Sequence, residues 1–488
     1  MPENNNLMRG AQAMVENNLF TGRQTADFIR EDEIDLTLLK GKQAGGHEVR
    51  RIITKAGQAA GLTLEETAVL LQNEDPLLEQ EMFAAAREVK LKIYGKRLVL
   101  FAPLYVSDYC LNNCLYCGYR RQNSFRRSKL SQQELAEEVR ILEGLGHKRL
   151  ALEAGEHPAE CSLDYILDCI KTIYSLKFKN GSIRRINVNI AATTTEDYAR
   201  LKAAEIGTYI LFQETYHRET YRRMHPDGPK SDYDWHTCAH HRAMQAGIDD
   251  VGFGVLFGLY DYRFEVLAML MHAQSLEQHF GVGPHTISVP RLRPALGMDL
   301  AGFPYLVPDE DFARLVAVLR LAVPYTGLIL STRERPAFRD RLLDLGISQL
   351  SAGSCTGVGG YRQEDCKADE ESSPPQFSVD DHRSPDQVLQ SICRAGYLPS
   401  YCTACYRQGR TGDRFMKLAK SGKIQDVCQP NAILTFKEYL LDYASPETRL
   451  TGEETIRLHL QEIPNPKVRS AVSSKLSRIE QGERDLYL

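Results

Sequence analysis

Two groups of cysteines have the spacing of metal ligands. Cys110, Cys114 and Cys117 form C-x3-C-x2-C, and Cys402, Cys405 and Cys428 form C-x2-C-x22-C. Thiolates are soft ligands suited to iron–sulfur clusters. Three of them leave one iron of a cubane without a protein ligand, so each group reads as a [4Fe-4S] site with an open iron. A zinc knuckle is the rival reading of the first group, but it needs a fourth Cys or His close by, and the nearest His is His147. For the second group the rival is a zinc site completed by a distant histidine. The other six cysteines (Cys161, Cys169, Cys238, Cys355, Cys366 and Cys393) stand singly and read as small buried hydrophobes.

An open iron in the first group suits the amino and carboxylate groups of S-adenosylmethionine (SAM). An electron from the cluster then splits SAM to a radical, and the protein's part is to place that radical against one substrate bond. The aromatic Tyr116 inside the motif belongs to the same signal.

The elements that must position these ligands follow from periodicity. Residues 1–92 read as a helical extension, with helix-spaced apolar residues over Leu62–Leu71 and Leu77–Val89. Eight short apolar runs then alternate with amphipathic stretches. The runs are Leu98–Leu104, Arg149–Ala154, Arg185–Ile190, Thr208–Phe212, Asp250–Phe257, Thr286–Pro290, Gly327–Ser331 and Ile347–Ser351. The stretches are Ser131–Leu145, which opens with a capping box at Ser131 and Glu134, then Leu163–Tyr174, Thr195–Ala204 and Asp309–Leu321. That count predicts an α/β fold, a (β/α)8 TIM-type barrel over residues 93–364. An open doubly wound sheet is the alternative, but no G-x-G-x-x-G follows the first strand. Residues 365–383, charged and containing Ser-Ser-Pro-Pro, read as a linker. Residues 384–488 read as a mostly helical domain carrying the second cysteine group.

Barrel chemistry sits at the C-terminal ends of the strands. The first triad follows strand one, and strand two ends in Glu153-Ala-Gly155-Glu156, where Glu156 is suited to bind SAM's ammonium. Strand four ends in Gln213-Glu214, strand six in Arg291 and Arg293, strand seven in Ser331-Thr332-Arg333 and strand eight in Ser351 to Ser354. Tyr116, Glu156, Gln213, Glu214 and Arg291 are therefore candidates for holding SAM. The planar fork of Arg333 suits a substrate carboxylate, with Ser351 as its helper. Several strands carry a polar or small face at period two (Asn187 and Asn189, Gly252 and Gly254, Thr286 and Ser288), which predicts a hydrated axis if those faces point inward.

Composition bounds the rest. Of 488 residues, 43% are apolar and 25% charged, with a net charge of −4 and both signs interspersed. Nothing there calls for a nucleic-acid groove or a basic membrane patch. Runs such as Val251–Tyr260 are too short to span a bilayer, and Met1-Pro-Glu-Asn-Asn-Asn lacks a basic head before an apolar core, so a cytoplasmic protein is expected.

At this point the sequence resembles the HydG family of [FeFe]-hydrogenase maturation tyrosine lyases. The resemblance covers nearly the whole chain, in APLYVSDYCLNNCLYCGYR, KRLALEAGEHP, RRINVNIAATT, YILFQETYH, GVGPHTISVPRLRPA, LSTRERPAFRD, LSAGSCTGVGGY and YCTACYRQGRTG. Cys355 in the SAGS segment departs from the polar residue expected there. The sister ThiH family, 2-iminoacetate synthases of thiamine biosynthesis, is similar through the barrel but lacks the C-terminal triad, which favours the maturases. The resemblance implies that a deoxyadenosyl radical takes a hydrogen from the amino group of L-tyrosine, that Cα–Cβ cleavage gives p-cresol and dehydroglycine, and that the latter yields CO and cyanide. It implies capture of both on an additional iron of the second cluster, held through a free L-cysteine. An Fe(CO)(CN) unit would then pass to other hydrogenase maturation proteins. A reductant such as flavodoxin or ferredoxin is implied as well. The additional iron needs a ligand besides sulfur. His285, at the start of strand six, would face the second triad if the C-terminal domain caps the barrel's bottom, provided an irregular strand start turns it inward. His272 and His279 are the alternatives. Two rivals remain: the same lysis ending at dehydroglycine for thiazole synthesis, and an iron–sulfur scaffold with a vestigial barrel.

Overall fold

The computed structural model describes residues 24–366, 374–421 and 424–488. The expectations for the chain's first residues therefore fall outside the described ones, as does the side chain of Cys366.

All eight expected strands form. They are β1 (Arg97–Ser107), β2 (Arg149–Ala154), β3 (Arg185–Asn189), β4 (Tyr209–Glu214), β5 (Val251–Val255), β6 (Thr286–Ser288), β7 (Gly327–Leu330) and β8 (Gln349–Ser351). Each pairs in parallel with its neighbours, and β1 closes the barrel by pairing with both β8 and β2. Helices cover the outside and bury the apolar runs on both faces, as parallel strands require. The helix Gln132–Gly144 starts at the expected capping box: Ser131 Oγ accepts from Glu134 N at 3.3 Å, and Glu134 Oε2 accepts from Ser131 N at 2.8 Å.

Strand β1 is 11 residues long and does more than close the barrel. Its centre pairs with β8, its C-terminal half with β2, and Arg97–Val99 pair with a ninth strand, β9 (Leu398–Ser400). Sequence reasoning missed β9. It has three residues and a proline, and proline is tolerated because β9 is an edge strand that pairs with β1 alone. The residues after β9 start the second cysteine group, so this small strand fixes the C-terminal section against the barrel's lower rim.

Of the charged segment read as a linker, residues 374–383 lie across the top of the barrel. Asp380 and Asp381 N–H groups donate to Thr332 O at 3.0 and 3.1 Å, and Gln376 N donates to Thr356 O at 2.8 Å. Asp381 and Arg339, both fully buried, form an ion pair, and Arg383 donates to Asp381 Oδ2 at 2.7 Å. The lone cysteines Cys169, Cys238, Cys355 and Cys393 are buried, and Cys161 is half-buried.

Candidate active site and second thiol centre

The loop after β1 holds Cys110, Cys114 and Cys117 over the barrel mouth. Its backbone is clamped on several sides: Leu111 N donates to Glu156 O at 2.8 Å, Leu115 N to Met224 O at 3.0 Å and Gly118 N to Gln376 O at 2.9 Å. Two glycines permit this closeness. A Cβ at Gly118 would sit 2.7 Å from Pro375 O, and one at Gly155 would collide with the Tyr109 carbonyl.

The three thiols line a cavity of about 210 Å³ that continues down the axis. Burial pushes the Cys117 thiol up to about 11 and raises Cys114 further. Iron supplies the positive charge that such buried thiolates lack, so the donor set fits a cluster. Gln376 Nε2 donates to Cys117 Sγ at 3.7 Å, and Tyr105 OH donates to Gln376 Oε1 at 2.9 Å.

Tyr116, Glu156, Glu214, Arg333 and Ser351 all line this cavity. The Tyr116 hydroxyl lies 2.8 Å from His225 Nε2. Glu156 accepts from Asn112 Nδ2 at 2.5 Å, and burial raises its pKa. Glu214, at φ +69°, ends β4 in the left-handed region, where the register with β5 slips by one residue. Its carboxylate pairs with Lys230 Nζ at 2.8 Å. Arg333 is buried, with its guanidinium 3.3 Å from the Phe377 ring centroid, and burial lowers it to about 10. Ser351 Oγ accepts from Thr332 N at 3.2 Å.

Gln213 and Arg291 are corrections. Gln213 sits at the irregularity between Phe212 and Glu214 and does not line the cavity; its Nε2 donates to Thr237 Oγ1 at 2.8 Å. Arg291 likewise leaves the axis. It donates through Nε to Glu334 Oε1 at 3.0 Å, pairs with Asp309 at 2.9 Å and lies against the Phe312 ring at 4.7 Å. It ties the loops after β6 and β7 together instead of meeting a ligand.

Sequence reasoning gave no role to Glu153, Lys230, Gln376 or Phe377, all of which line the cavity: Glu153 faces it from β2, and the other three reach it from the connections between elements. Asn189, on the β3 face expected to point inward, lines it as well. Asn189 Nδ2 donates to Glu153 Oε2 at 2.6 Å. The parity of Glu153 with Ala151 was a usable signal, while nothing local marks Lys230, Gln376 or Phe377.

At the opposite end of the barrel, Cys402, Cys405 and Cys428 line a second cavity of about 50 Å³ together with His285. The N-terminal ends of the strands supply the other wall: Arg97, Arg149, Asp250, Gly327 and Gln349. A hydrogen bond from Cys405, with Arg97 and Arg410 nearby, holds Cys428 below the ordinary thiol range, and Cys405 is raised in return. His285 precedes β6 in a bend, so the pleat does not set its direction; its ring lies 4.3 Å from that of Phe415. His272 and His279 do not reach this cavity. His272 stacks on Phe253 at 4.8 Å, and His279 Nδ1 lies 2.7 Å from Ser275 O.

Several polar atoms around this second cavity are buried without a hydrogen-bond partner: both carboxylate oxygens of Asp250, His285 Nδ1, Arg97 Nε, Arg149 Nε and Thr403 Oγ1. Orphaned buried polar groups cost on the order of 1–3 kcal/mol each, so this set fits a site built around a polar, metal-bearing group. Among the described residues no three His, Cys, Asp or Glu side chains converge as they would around one bound ion. A cubane takes its thiolates at separate corners and asks for a wider spacing.

A closed parallel barrel with a C-x3-C-x2-C loop after its first strand defines a radical SAM enzyme, and the radical SAM superfamily profile matches residues 104–271. The biotin and thiamin synthesis associated domain matches residues 288–398. The 2-iminoacetate synthase of Escherichia coli (strain K12) is 33% identical over 349 residues, 71% of this chain and 89% of that protein. A crystal structure of HydG, a maturase of the [FeFe]-hydrogenase, superposes with a TM-score of 0.92 at 61% identity, covering 95% of this chain and 100% of that one. The FeFe-hydrogenase maturase HydG from Carboxydothermus hydrogenoformans follows with a TM-score of 0.80 at 41% identity, covering 93% and 100%. The chain belongs to the HydG and 2-iminoacetate synthase family of radical SAM enzymes. Among the described residues no helix is long and apolar enough to cross a membrane.

Proposed function

We propose that this chain is a tyrosine lyase of [FeFe]-hydrogenase maturation, which cleaves L-tyrosine to p-cresol and dehydroglycine, converts the latter to CO and cyanide, and builds an Fe(CO)(CN) unit. The observation that carries this reading is the pair of thiol triads at opposite ends of one barrel, the second of them beside His285 and a set of orphaned polar atoms. A lyase that released dehydroglycine would have no use for the second centre.

Cys110, Cys114 and Cys117 would hold the first [4Fe-4S] cluster and Cys402, Cys405 and Cys428 the auxiliary one, with His285 and a free L-cysteine on the additional iron. When bound, the first cluster and SAM supply the radical that removes a hydrogen atom from the substrate. The chain's own residues do the positioning. Glu156 receives SAM's ammonium, the Arg333 fork receives the tyrosine carboxylate, and the Phe377 ring holds that fork in one plane from behind. Ser351 fixes the Thr332 backbone beside it. Burial of the cavity keeps water from the reacting atoms. Electrons come from a flavodoxin- or ferredoxin-like reductant, and the product passes to other maturation proteins.

Anaerobic reconstitution with iron, sulfide, cysteine, SAM and tyrosine tests this directly. p-Cresol together with cyanide and CO is the expected outcome. Glyoxylate or 2-iminoacetate in stoichiometric yield without either diatomic would identify the thiazole branch instead. No SAM cleavage in the presence of tyrosine would identify a scaffold.

A further inference from the structure

The top cavity contains a second charge that the reaction has not yet used. Glu153 lies on β2 with its carboxyl directed into the cavity, in register with Tyr105 of β1 and Asn189 of β3. Its contact from Asn189 is a neutral amide at 2.6 Å, and among the described residues no Lys, Arg or His comes within ion-pair distance of it. The neighbouring acid Glu214 differs in this respect, since it has Lys230 at 2.8 Å. A buried carboxylate without a cation is costly, and the ordinary remedies are protonation or a ligand that brings positive charge.

Across the same cavity stands Arg333, a buried cation whose planar face is taken by Phe377 and which likewise has no carboxylate partner among the ion pairs of the described residues. A cavity that presents one unpaired cation and one unpaired carboxyl is complementary to a zwitterion. An α-amino acid carries its carboxylate and ammonium on one carbon, and these match Arg333 and Glu153 respectively. We propose that Glu153 receives the substrate's α-ammonium and takes one proton from it, leaving the neutral amine that hydrogen-atom abstraction requires.

The step is a proton transfer: one N–H bond of the ammonium breaks heterolytically, one O–H bond forms on Glu153, and nothing is oxidised or reduced. Its chemical necessity is general, because an ammonium has no lone pair to stabilise a nitrogen-centred radical. Glu153 is suited to the task. Burial holds it near 8, opposed by Asn189 and Arg333 and reinforced by Glu214, so it exchanges a proton around neutral pH. The titratable groups that face it are Tyr105 and Tyr119 from β1 and its loop, Glu214 from β4 and Arg333 from the loop after β7. Burial raises both tyrosines well above their usual range, and neither supplies a charge near neutrality. This inference rests on the reading of tyrosine as substrate.

The experiment compares wild type with Glu153→Gln, which is isosteric and keeps an oxygen for the Asn189 contact. Three quantities are followed between pH 6 and 9: p-cresol formation at low tyrosine, the KM for tyrosine, and 5′-deoxyadenosine formed without tyrosine. In wild type the p-cresol rate should climb roughly tenfold per pH unit and level near pH 8. In Glu153→Gln that rise should vanish and the tyrosine KM should increase about tenfold, while deoxyadenosine formation without tyrosine persists. Inhibition by 3-(4-hydroxyphenyl)propanoate, which lacks the amino group, should be equal in the two proteins. An unchanged pH rise and KM in the variant would overturn the proposal. So would equal weakening of tyrosine and the amino-free analogue, which would place Glu153 on the phenol side, or loss of deoxyadenosine, which would place it on the cofactor. Absence of p-cresol from wild type at every pH would sink the tyrosine reading itself, whereas a normal wild type with an unaltered variant sinks this inference alone.

Discussion

Arg333 shows how one side chain is made selective by what surrounds it. Its guanidinium is buried, one face covered by Phe377 and one N–H directed at Arg291 O at 3.4 Å. The fork's remaining donors face a cavity that holds no carboxylate paired to it. Arg333→Ala should weaken tyrosine binding by about 2–5 kcal/mol, because the substrate carboxylate would be desolvated without a partner. Arg333→Lys should weaken it less, since charge is kept and the planar fork is lost. SAM cleavage without tyrosine should persist in both. Michaelis constants for tyrosine that do not change in Arg333→Ala would remove the residue from the site. At this scale the sequence was legible from position at the strand ends: Glu156, Glu214, Arg333 and Ser351 all reach the cavity. Gln213 and Arg291 share those strand ends but are claimed by Thr237 and by the loop ion pairs.

The segment 374–383 belongs to the cavity's wall by virtue of one buried ion pair. Arg339 and Asp381 are 1% and 0% exposed, and Arg383 adds a second cation. Removing one member of such a pair leaves a buried charge uncompensated. Asp381→Asn should therefore cost about 3–5 kcal/mol in unfolding experiments and loosen Gln376 and Phe377 from the site. Although burial alone would raise it, Arg383 and Arg339 hold the Asp381 carboxyl below its ordinary 3.8. Its contribution is then complete above about pH 4 and is lost as pH falls through the folded-state value, so wild type should lose stability faster than the variant under acid. Equal acid sensitivity would contradict this. No local pattern announces such a segment: charge and Ser-Ser-Pro-Pro read as a linker, and Arg339, which pairs with Asp381, lies 42 positions away. β9 was hidden for a related reason, being three residues with a proline whose role comes entirely from pairing with β1. The eight barrel strands were legible because strands buried on both faces are continuous apolar runs.

The two thiol centres occupy opposite ends of one barrel, and under the proposed function the molecule would separate breaking tyrosine from capturing its fragments. A strand of five or six residues rises about 3.3 Å per residue, which places the ends on the order of 17–20 Å apart. Along the axis small and polar side chains stand among apolar ones such as Ile210 and Ile329. Asn189 and Ser288 line the upper cavity, and Asn187 Oδ1 accepts from Thr208 N at 3.1 Å lower down. Gly254 is a poor place to block such a route, because a Cβ there would collide with the Ser288 carbonyl. Ala151 is better placed, since it lines the upper cavity while Arg149, two residues earlier, lines the lower one. Ala151→Leu should leave p-cresol near normal and reduce iron-bound CO. Loss of both would indicate a damaged core, and no change in either would place the route elsewhere.

The division of labour is tested most directly by Cys405→Ser and Cys402→Ser, assayed anaerobically for p-cresol and for iron-bound CO by infrared spectroscopy in the same samples. We predict p-cresol within about twofold of wild type and no iron-bound CO, with Cys114→Ser abolishing both because the first cluster is the only radical source. Loss of p-cresol in either C-terminal variant, with the protein folded and the first cluster intact by electron paramagnetic resonance, would contradict the account.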